Sequence, residues 1–396
     1  MGGPRIHLYM PCWNEAAILP HFFRHYSFVE RFVIFDNGST DESRALVGAE
    51  PRAELREFDT AGEIDERAYL RIKNEAWKES RGRADFVIVC DTDEFLFHPA
   101  IDAVLAQMRA TGATMARPAG YDMVAARPPR PGEDLLRTVT DGVRKLEFDK
   151  SVLFDPLAIE EIHYDVGAHI CSPRGKVRLY ARPGLALLHY KNLGFDYVRR
   201  RLDAVAPRVG AWNRSLGLAA GYAEDAQQTR RRLRMLAHLA RPVVPPPEAP
   251  PPPIEPPDDL DVRRAAALAA AAAGDWRVAQ DGLEQVLAWR PDDVDALGGL
   301  GVALRRLGRS GDALWCFRRA LVTDPGRADI WFAYGELMLA VRSHRQAAIC
   351  FRHAVRRRAD HPEAWGRLAE ALAALGDSAG AEGARREAVA RAPAAS

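Results

Sequence analysis

The sequence is poor in the features that would classify it at sight. Its five cysteines (Cys12, Cys90, Cys171, Cys316 and Cys350) stand far apart, form no Cys-x-x-Cys pair and are odd in number. That excludes a disulfide framework or a cysteine zinc site and points to reduced thiols in a cytosol. Charge of one sign is also missing. The 55 basic residues face 54 acidic ones, a net charge of +1, so neither nucleic acid nor an anionic membrane is expected as the main partner. Long apolar runs are absent. The longest stretch of small apolar residues, Ala265 to Ala273, is about half of a membrane span. The opening "MGGPRIHLYMP" holds no apolar signal core, and Ile6 stands where a myristoylation signal needs Ser or Thr. A soluble, cytoplasmic protein without a transmembrane segment is expected.

At 396 residues the chain is long enough for two or three domains. Ten prolines lie between Arg241 and Asp258, in "RPVVPPPEAPPPPIEPPD". Such a run makes neither helix nor central strand; it favours extended polyproline II. Three parts are therefore expected: residues 1–240, a proline-rich linker at 241–259, and residues 260–396.

The last part repeats with a 34-residue period, in units at 260–293, 294–327, 328–361 and 362–395. Small residues recur at the eighth position (Ala267, Gly301, Gly335, Ala369) and the twentieth (Ala279, Ala313, Ala347, Ala381). They let two antiparallel helices pack closely. Pro291, Pro325 and Pro393 end three units, where a proline stops the second helix. The pattern resembles the tetratricopeptide repeat, with Trp331 and Trp365 at the fourth position and Phe317 and Phe351 at the twenty-fourth. The resemblance implies a curved all-α solenoid that docks a peptide or protein partner. Trp331 and Trp365 are read as inter-helix packing.

The first part alternates segments read as short buried strands, "RIHLYM" (5–10), "RFVIFD" (31–36), "AELREF" (53–58) and "DFVIVC" (85–90), with stretches of helical spacing. That order predicts a parallel sheet with helices on both faces, whose ligands would sit beyond the carboxyl ends of the strands. At those ends stand Pro11-Cys12-Trp13-Asn14-Glu15, then Asp36-Asn37-Gly38-Ser39-Thr40-Asp41, then Asp91-Thr92-Asp93-Glu94. In extended chain Asp91 and Asp93 face one way. Two carboxylates aimed at one point need a cation between them. Mg²⁺ or Mn²⁺ suits oxygen ligands and keeps open positions for a diphosphate. Cys90, Trp13 and Trp77 are read as core, and the arginines at 199–201 and 230–232 mainly as solvated helix faces.

These pieces, "PCWNE", "VIFDNGSTD", "IKNEAW" and the Asp-x-Asp of "VCDTDEF", followed by "VGAHICSPRGKV" and "LLHYKNLGFDYVRRRL", resemble family 2-like glycosyltransferases with the GT-A fold. The resemblance spans roughly residues 5 to 215. It implies a Rossmann-like domain that moves a sugar from a nucleotide-diphosphate donor to an acceptor hydroxyl, metal-dependent and inverting, on a glycan or protein acceptor. It further implies that Pro11, Asn14 and Glu15 line the nucleotide pocket, that Asp36 bonds the base, and that Asn74 turns toward the nucleotide. Asp91 and Asp93 would hold the sugar-diphosphate through the metal, with His189 as a further ligand (His169 second) and Lys191 on a phosphate. The late carboxylate pair that acts as general base in such enzymes has no match; Asp165 is taken first, with Glu94, Asp122 and Glu161 behind it.

Two other readings compete. One is a protein-interaction scaffold with a degenerate transferase domain. The other is an Asp-x-Asp-x-Thr phosphatase, against which stands Phe95 at the Thr position.

Overall fold

The computed structural model describes residues 3–130, 132–180, 184–210, 213–214, 222–245 and 257–392. The chain divides into two compact units, Met1–Ile254 and Glu255–Ser396. Residues 246–256, most of the expected proline linker, and Pro393 lie outside the described residues.

In the first unit the four expected strands form, as β1 (Ile6–Cys12), β2 (Arg31–Asp36), β3 (Ala53–Glu57) and β4 (Phe86–Val89). They pair in parallel in the order β4-β1-β2-β3. The helices Leu19–His25, Ser43–Ala49 and Glu66–Glu75 connect them, the last continuing as a 3-10 turn to Ser80. The burial follows from the sequence: β1 and β4 are buried along their whole length, as continuous apolar runs covered on both faces must be. Phe22, Tyr26, Phe32 and Phe95 interlock on one side of this sheet. On the other, Trp77 stands edge-on to Phe154 at 4.9 Å.

The remaining strands are short. They are β5 (Glu94–Phe97), β6 (Met115–Ala116), β7 (Ala119–Ala125), β8 (Asp141–Arg144), β9 (Leu153–Phe154) and β10 (Ile159–Glu161). After them come β11 (Arg174–Gly175), β12 (Leu179–Tyr180), β13 (Ala186–Leu193) and β14 (Arg241–Pro242). β9, β6 and β12 extend the first sheet beyond β4, with β9 antiparallel to its neighbours. A second, five-stranded sheet runs β14-β8-β7-β13-β5. Its central pair, β7 and β13, is parallel and sets His189 opposite Asp122. The turn Asp91–Asp93 joins β4 of the first sheet to β5 of the second, so the acidic triplet marks where the chain passes between sheets.

The second unit is four helix pairs. Their first helices begin at Leu260, Val294, Ala328 and Pro362, the four positions the period gives. Their second helices are Trp276–Trp289, Ser310–Thr323, His344–Arg357 and Ser378–Ala390. The alanines of the twentieth position are fully buried. The small residue at the eighth follows what opposes it. A Cβ on Gly301 would fall 2.5 Å from the Phe317 ring, and one on Gly335 would fall 2.6 Å from Phe351. The first and fourth repeats carry Leu283 and Arg385 at the twenty-fourth position, and there the eighth is alanine. Trp331 and Trp365 donate their indole N–H to the carbonyls of Pro325 and Ala359, at 3.0 and 2.9 Å. Each ties a repeat to the end of the one before it, as the packing reading expected.

Candidate functional site

Two loops are stitched together at the carboxyl end of β1 and β2. Asn14 sits in the left-handed region at φ 53°. Its Oδ1 accepts the backbone N–H groups of Thr40 (2.7 Å) and Asp41 (3.3 Å), and its own N–H donates to Ser39 Oγ. Glu15 N–H donates to Ser43 Oγ at 2.8 Å. "PCWNE" and "DNGSTD" thus form one rim. Asp36, expected to read a base, is instead buried beneath its own turn, accepting Ser39 N–H at 3.0 Å. Trp13 is not core: it is half-buried, with the Arg208 guanidinium 3.7 Å over its ring.

The acidic triplet is a turn, not extended chain, closed by Glu94 N–H to Asp91 O at 3.0 Å. Thr92 faces inward and donates to Pro11 O. Asp91 and Asp93 therefore enter two adjacent ion-pair groups. Asp91 meets Lys73 at 2.6 Å and Lys150 at 3.6 Å. Lys150 also meets Glu94 at 2.5 Å, both side chains being almost fully buried. Asp93 meets His189 Nε2 at 3.2 Å and Arg201 at 3.4 Å, and Arg201 reaches on to Glu15 at 2.6 Å. Behind His189, Asp122 lies 3.8 Å from Nδ1 and 3.4 Å from Lys191, whose ammonium sits 4.4 Å over the Phe148 ring.

The electrostatics follow this wiring. Burial raises the Asp93 carboxyl, but His189 and Arg201 outweigh it and hold it well below the usual carboxylate range. Lys73 and Lys150 do the same for Asp91, against burial and against the like charge of Asp93. Burial pushes Glu15 up to about 7, with Arg201 opposing. Glu66, at the start of the helix that carries Lys73, is raised by burial and by Asp91, while Lys73 pulls it down. Burial, with Lys150 adding, pushes His169 down to about 2; its Nδ1 donates to Glu147 O at 2.7 Å.

Of the expected site residues, Glu15, Asp91, Asp93, Glu94, His189 and Lys191 come together. Pro11 is built into β1, and Asn74 is turned away: it accepts Tyr164 N–H at 2.8 Å and donates to Tyr164 O. Asp165 is exposed and accepts Val166 N–H at 2.8 Å, capping a short 3-10 turn, and Glu161 pairs with Lys78. Three cations were missed. Lys150 stands in no motif, and Lys73 lies inside "IKNEAW", where the resemblance gives a role only to Asn74. Lys73 does lie two turns after Glu66 on one helix face, a signal that could have been used. Arg201, taken for a solvated position, is the link between Glu15 and Asp93.

A divalent ion can be tested against this donor set. The oxygens of Asp91 and Asp93 already face ammonium, guanidinium and imidazole groups. Two of the expected ligands, Asp93 and His189, bond each other. Among the described residues no group of three or more His, Cys, Asp or Glu side chains is spaced to hold a metal ion. As arranged, the set does not fit Mg²⁺ or Mn²⁺, because each carboxylate is already paired with cationic side chains of the protein.

The tetratricopeptide-repeat family matches residues 264–328 and 335–396, so the C-terminal region is built of tetratricopeptide repeats. Solved structures of MamA are similar over about a third of the chain. One crystal structure of MamA shows 16% identity and a TM-score of 0.33, covering 34% of this chain and 79% of its own. Another shows 18% and 0.32, covering 34% and 73%. MamA of Desulfovibrio magneticus RS-1, from residue 41 to its end, shows 20% and 0.32, covering 35% and 77%. No curated protein matches the chain. No helix among the described residues is long and apolar enough to cross a membrane.

Proposed function

We propose that the chain couples a protein-docking solenoid to an α/β unit that binds a nucleotide-sugar and transfers its sugar to an acceptor hydroxyl. The docking half has the more direct support, because the repeats are identified and a solenoid of this kind presents an extended surface to a protein partner. The transferase half rests on one observation. Sequence pieces far apart (Glu15, Asp91, Asp93, His189, Lys191 and Arg201) meet at the carboxyl edge of the parallel strands, where open α/β sheets bind ligands. In this reading Lys73, Lys150 and Arg201 neutralise the carboxylates and orient them, and Lys191 meets a phosphate. Glu66, a carboxyl pushed up beside Asp91, replaces Asp165 as the base that takes the acceptor proton.

A second reading is favoured by the closure of Asp91 and Asp93 in internal ion pairs. Here the α/β unit is a non-catalytic part of a protein-interaction scaffold. Donor hydrolysis separates the two. Nucleoside-diphosphate sugars are incubated with wild type and with Asp93→Ala, once with Mn²⁺ and once with a chelator. Turnover by wild type that falls at least a hundredfold in the variant supports the transferase, and the chelator arm reports on the cation. No turnover by either protein supports the scaffold. Cleavage of a simple phosphate ester without any sugar nucleotide would mark a phosphatase.

A further inference from the structure

One cavity of the first unit lies away from the acidic turn. It has a volume of about 520 Å³ and opens off the carboxyl ends of β7 and β13, the parallel pair that carries Asp122, His189 and Lys191. The size falls within the range of small-molecule sites. Its wall is apolar: Val124, Ala125 and Ala126 from the end of β7, Phe195, and Leu233 and Ala237 from the helix Ala226–Leu239. Two cations edge it. The Arg230 guanidinium stacks 4.2 Å over the Phe195 ring, and Arg234 stands one turn along the same helix. Both arginines are exposed. Arg232, between them, is different in kind: it is spent on Glu224 and on Asn192 of β13, at 2.9 and 2.6 Å, and so clamps the helix over the strand ends. Met235 and Leu239 of this helix are half exposed, at 54% and 48%. The third polar group of the lining is Asp141, at the start of β8.

An apolar hollow with guanidinium groups at its edge suits one kind of guest. A purely apolar molecule would leave the arginines without a function. A sugar would find few polar partners along the wall. We infer that the cavity takes an amphiphilic phosphate: the alkyl or isoprenoid body lies against Phe195, Leu233 and Ala237, and the phosphate lies on Arg230 and Arg234, whose forked donors match its oxygens. Asp141, also exposed, disfavours a second anionic group beside it. On the transferase reading this guest is the acceptor, a lipid-linked one. The binding itself does not depend on that reading.

The test uses the full chain and dodecyl phosphate below its micelle concentration, with inorganic phosphate and dodecyl maltoside as controls, read by titration calorimetry. Dodecyl phosphate is expected to bind at least tenfold tighter than either control. Ala237→Trp, which fills the hollow from an exposed position, is expected to abolish binding. The double variant Arg230→Glu and Arg234→Glu is expected to weaken it at least tenfold. Equal binding of the maltoside, equal binding of inorganic phosphate, or undiminished binding by Ala237→Trp overturns the proposal. Cosedimentation with phosphatidic acid vesicles that both variants lose supports it and assigns a bilayer lipid as the source. Dodecyl phosphate binding without cosedimentation supports it and assigns a free amphiphile. If donor hydrolysis fails while dodecyl phosphate binds, only the transferase reading falls.

Discussion

Lys150 and Glu94 are buried against each other, with Asp91 beside them. Removing one member of such a pair strands a charge out of water, which costs about 3–5 kcal/mol, whereas replacing both by apolar groups of similar size is close to neutral. Lys150→Met is therefore expected to destabilise the first unit by about 3–5 kcal/mol. Adding Glu94→Leu should restore part of that loss. Hydrogen exchange of the buried strands β1 and β4 along a denaturant titration reads both. His25 makes a different prediction. Its Nε2 donates to Leu96 O at 2.8 Å, and burial pushes its pKa down to about 4. Between the ordinary histidine value of about 6.5 and that lowered value the unfolded chain holds one more proton at this site. Stability from this group is thus complete above pH 6.5 and is lost as pH falls toward 4, at up to about 1.4 kcal/mol per pH unit. His25→Gln should flatten the acid limb of the stability curve by that slope, whatever it does to stability at neutral pH. Neither residue was legible from the sequence as a determinant. Lys150 stands in "EFDKS" with no periodic pattern, and only the pairing of β4 with β9 brings that segment against the acidic turn.

At the scale of elements, legibility depended on whether a pattern was local. The strands β1, β2 and β4 were readable because a buried parallel strand is a continuous apolar run; β3, read as buried too, is a half-exposed edge strand with the sequence AELRE. The repeats were readable because a period of 34 residues carries its own check. The second sheet was not foreseen. β13 lies far from β7 in sequence, and their pairing is a fact of tertiary packing, so His189 and Asp122 could be named but not placed opposite each other. The rim of Asn14 and Thr40 escaped for the same reason, since a turn signal does not say which loop it will bond. In the repeats the link between the eighth and twenty-fourth positions gives a prediction. Gly335→Leu would drive a side chain into the Phe351 ring, already 2.6 Å from a mere Cβ. It is expected to destabilise the solenoid by about 1–3 kcal/mol or more. Phe351→Leu made in the same chain should recover part of this, so that the two losses do not add. Thermal melts of the second unit followed by helical circular dichroism read the cycle.

For the whole molecule, the division at Ile254 and Glu255 makes separate production the natural experiment. Residues 1–245 and 257–396 are each expected to fold and melt cooperatively when made alone. Donor hydrolysis should follow the first piece, and capture of a protein partner should follow the second. A first piece that fails to fold, while the full chain does, would show that the repeats complete it. Composition excluded much at this scale, through balanced charge, scattered cysteines and short apolar runs. It could not say what the acidic triplet would face, because a metal ion, an arginine and a lysine all answer the same charge deficit. The fold chose the side chains.

The chain has six lysines, and all of them lie between Lys73 and Lys191. Two, Lys73 and Lys150, are buried at the acidic turn, so Lys78, Lys145, Lys176 and Lys191 are the side-chain amines open to acylating reagents. Coupling to an activated ester surface would thus tether the protein by its α/β half and leave the repeats unmodified for capture of their partner. On the transferase reading, a sugar nucleotide is expected to shield Lys191 from acylation, a loss of labelling that mass spectrometry reads.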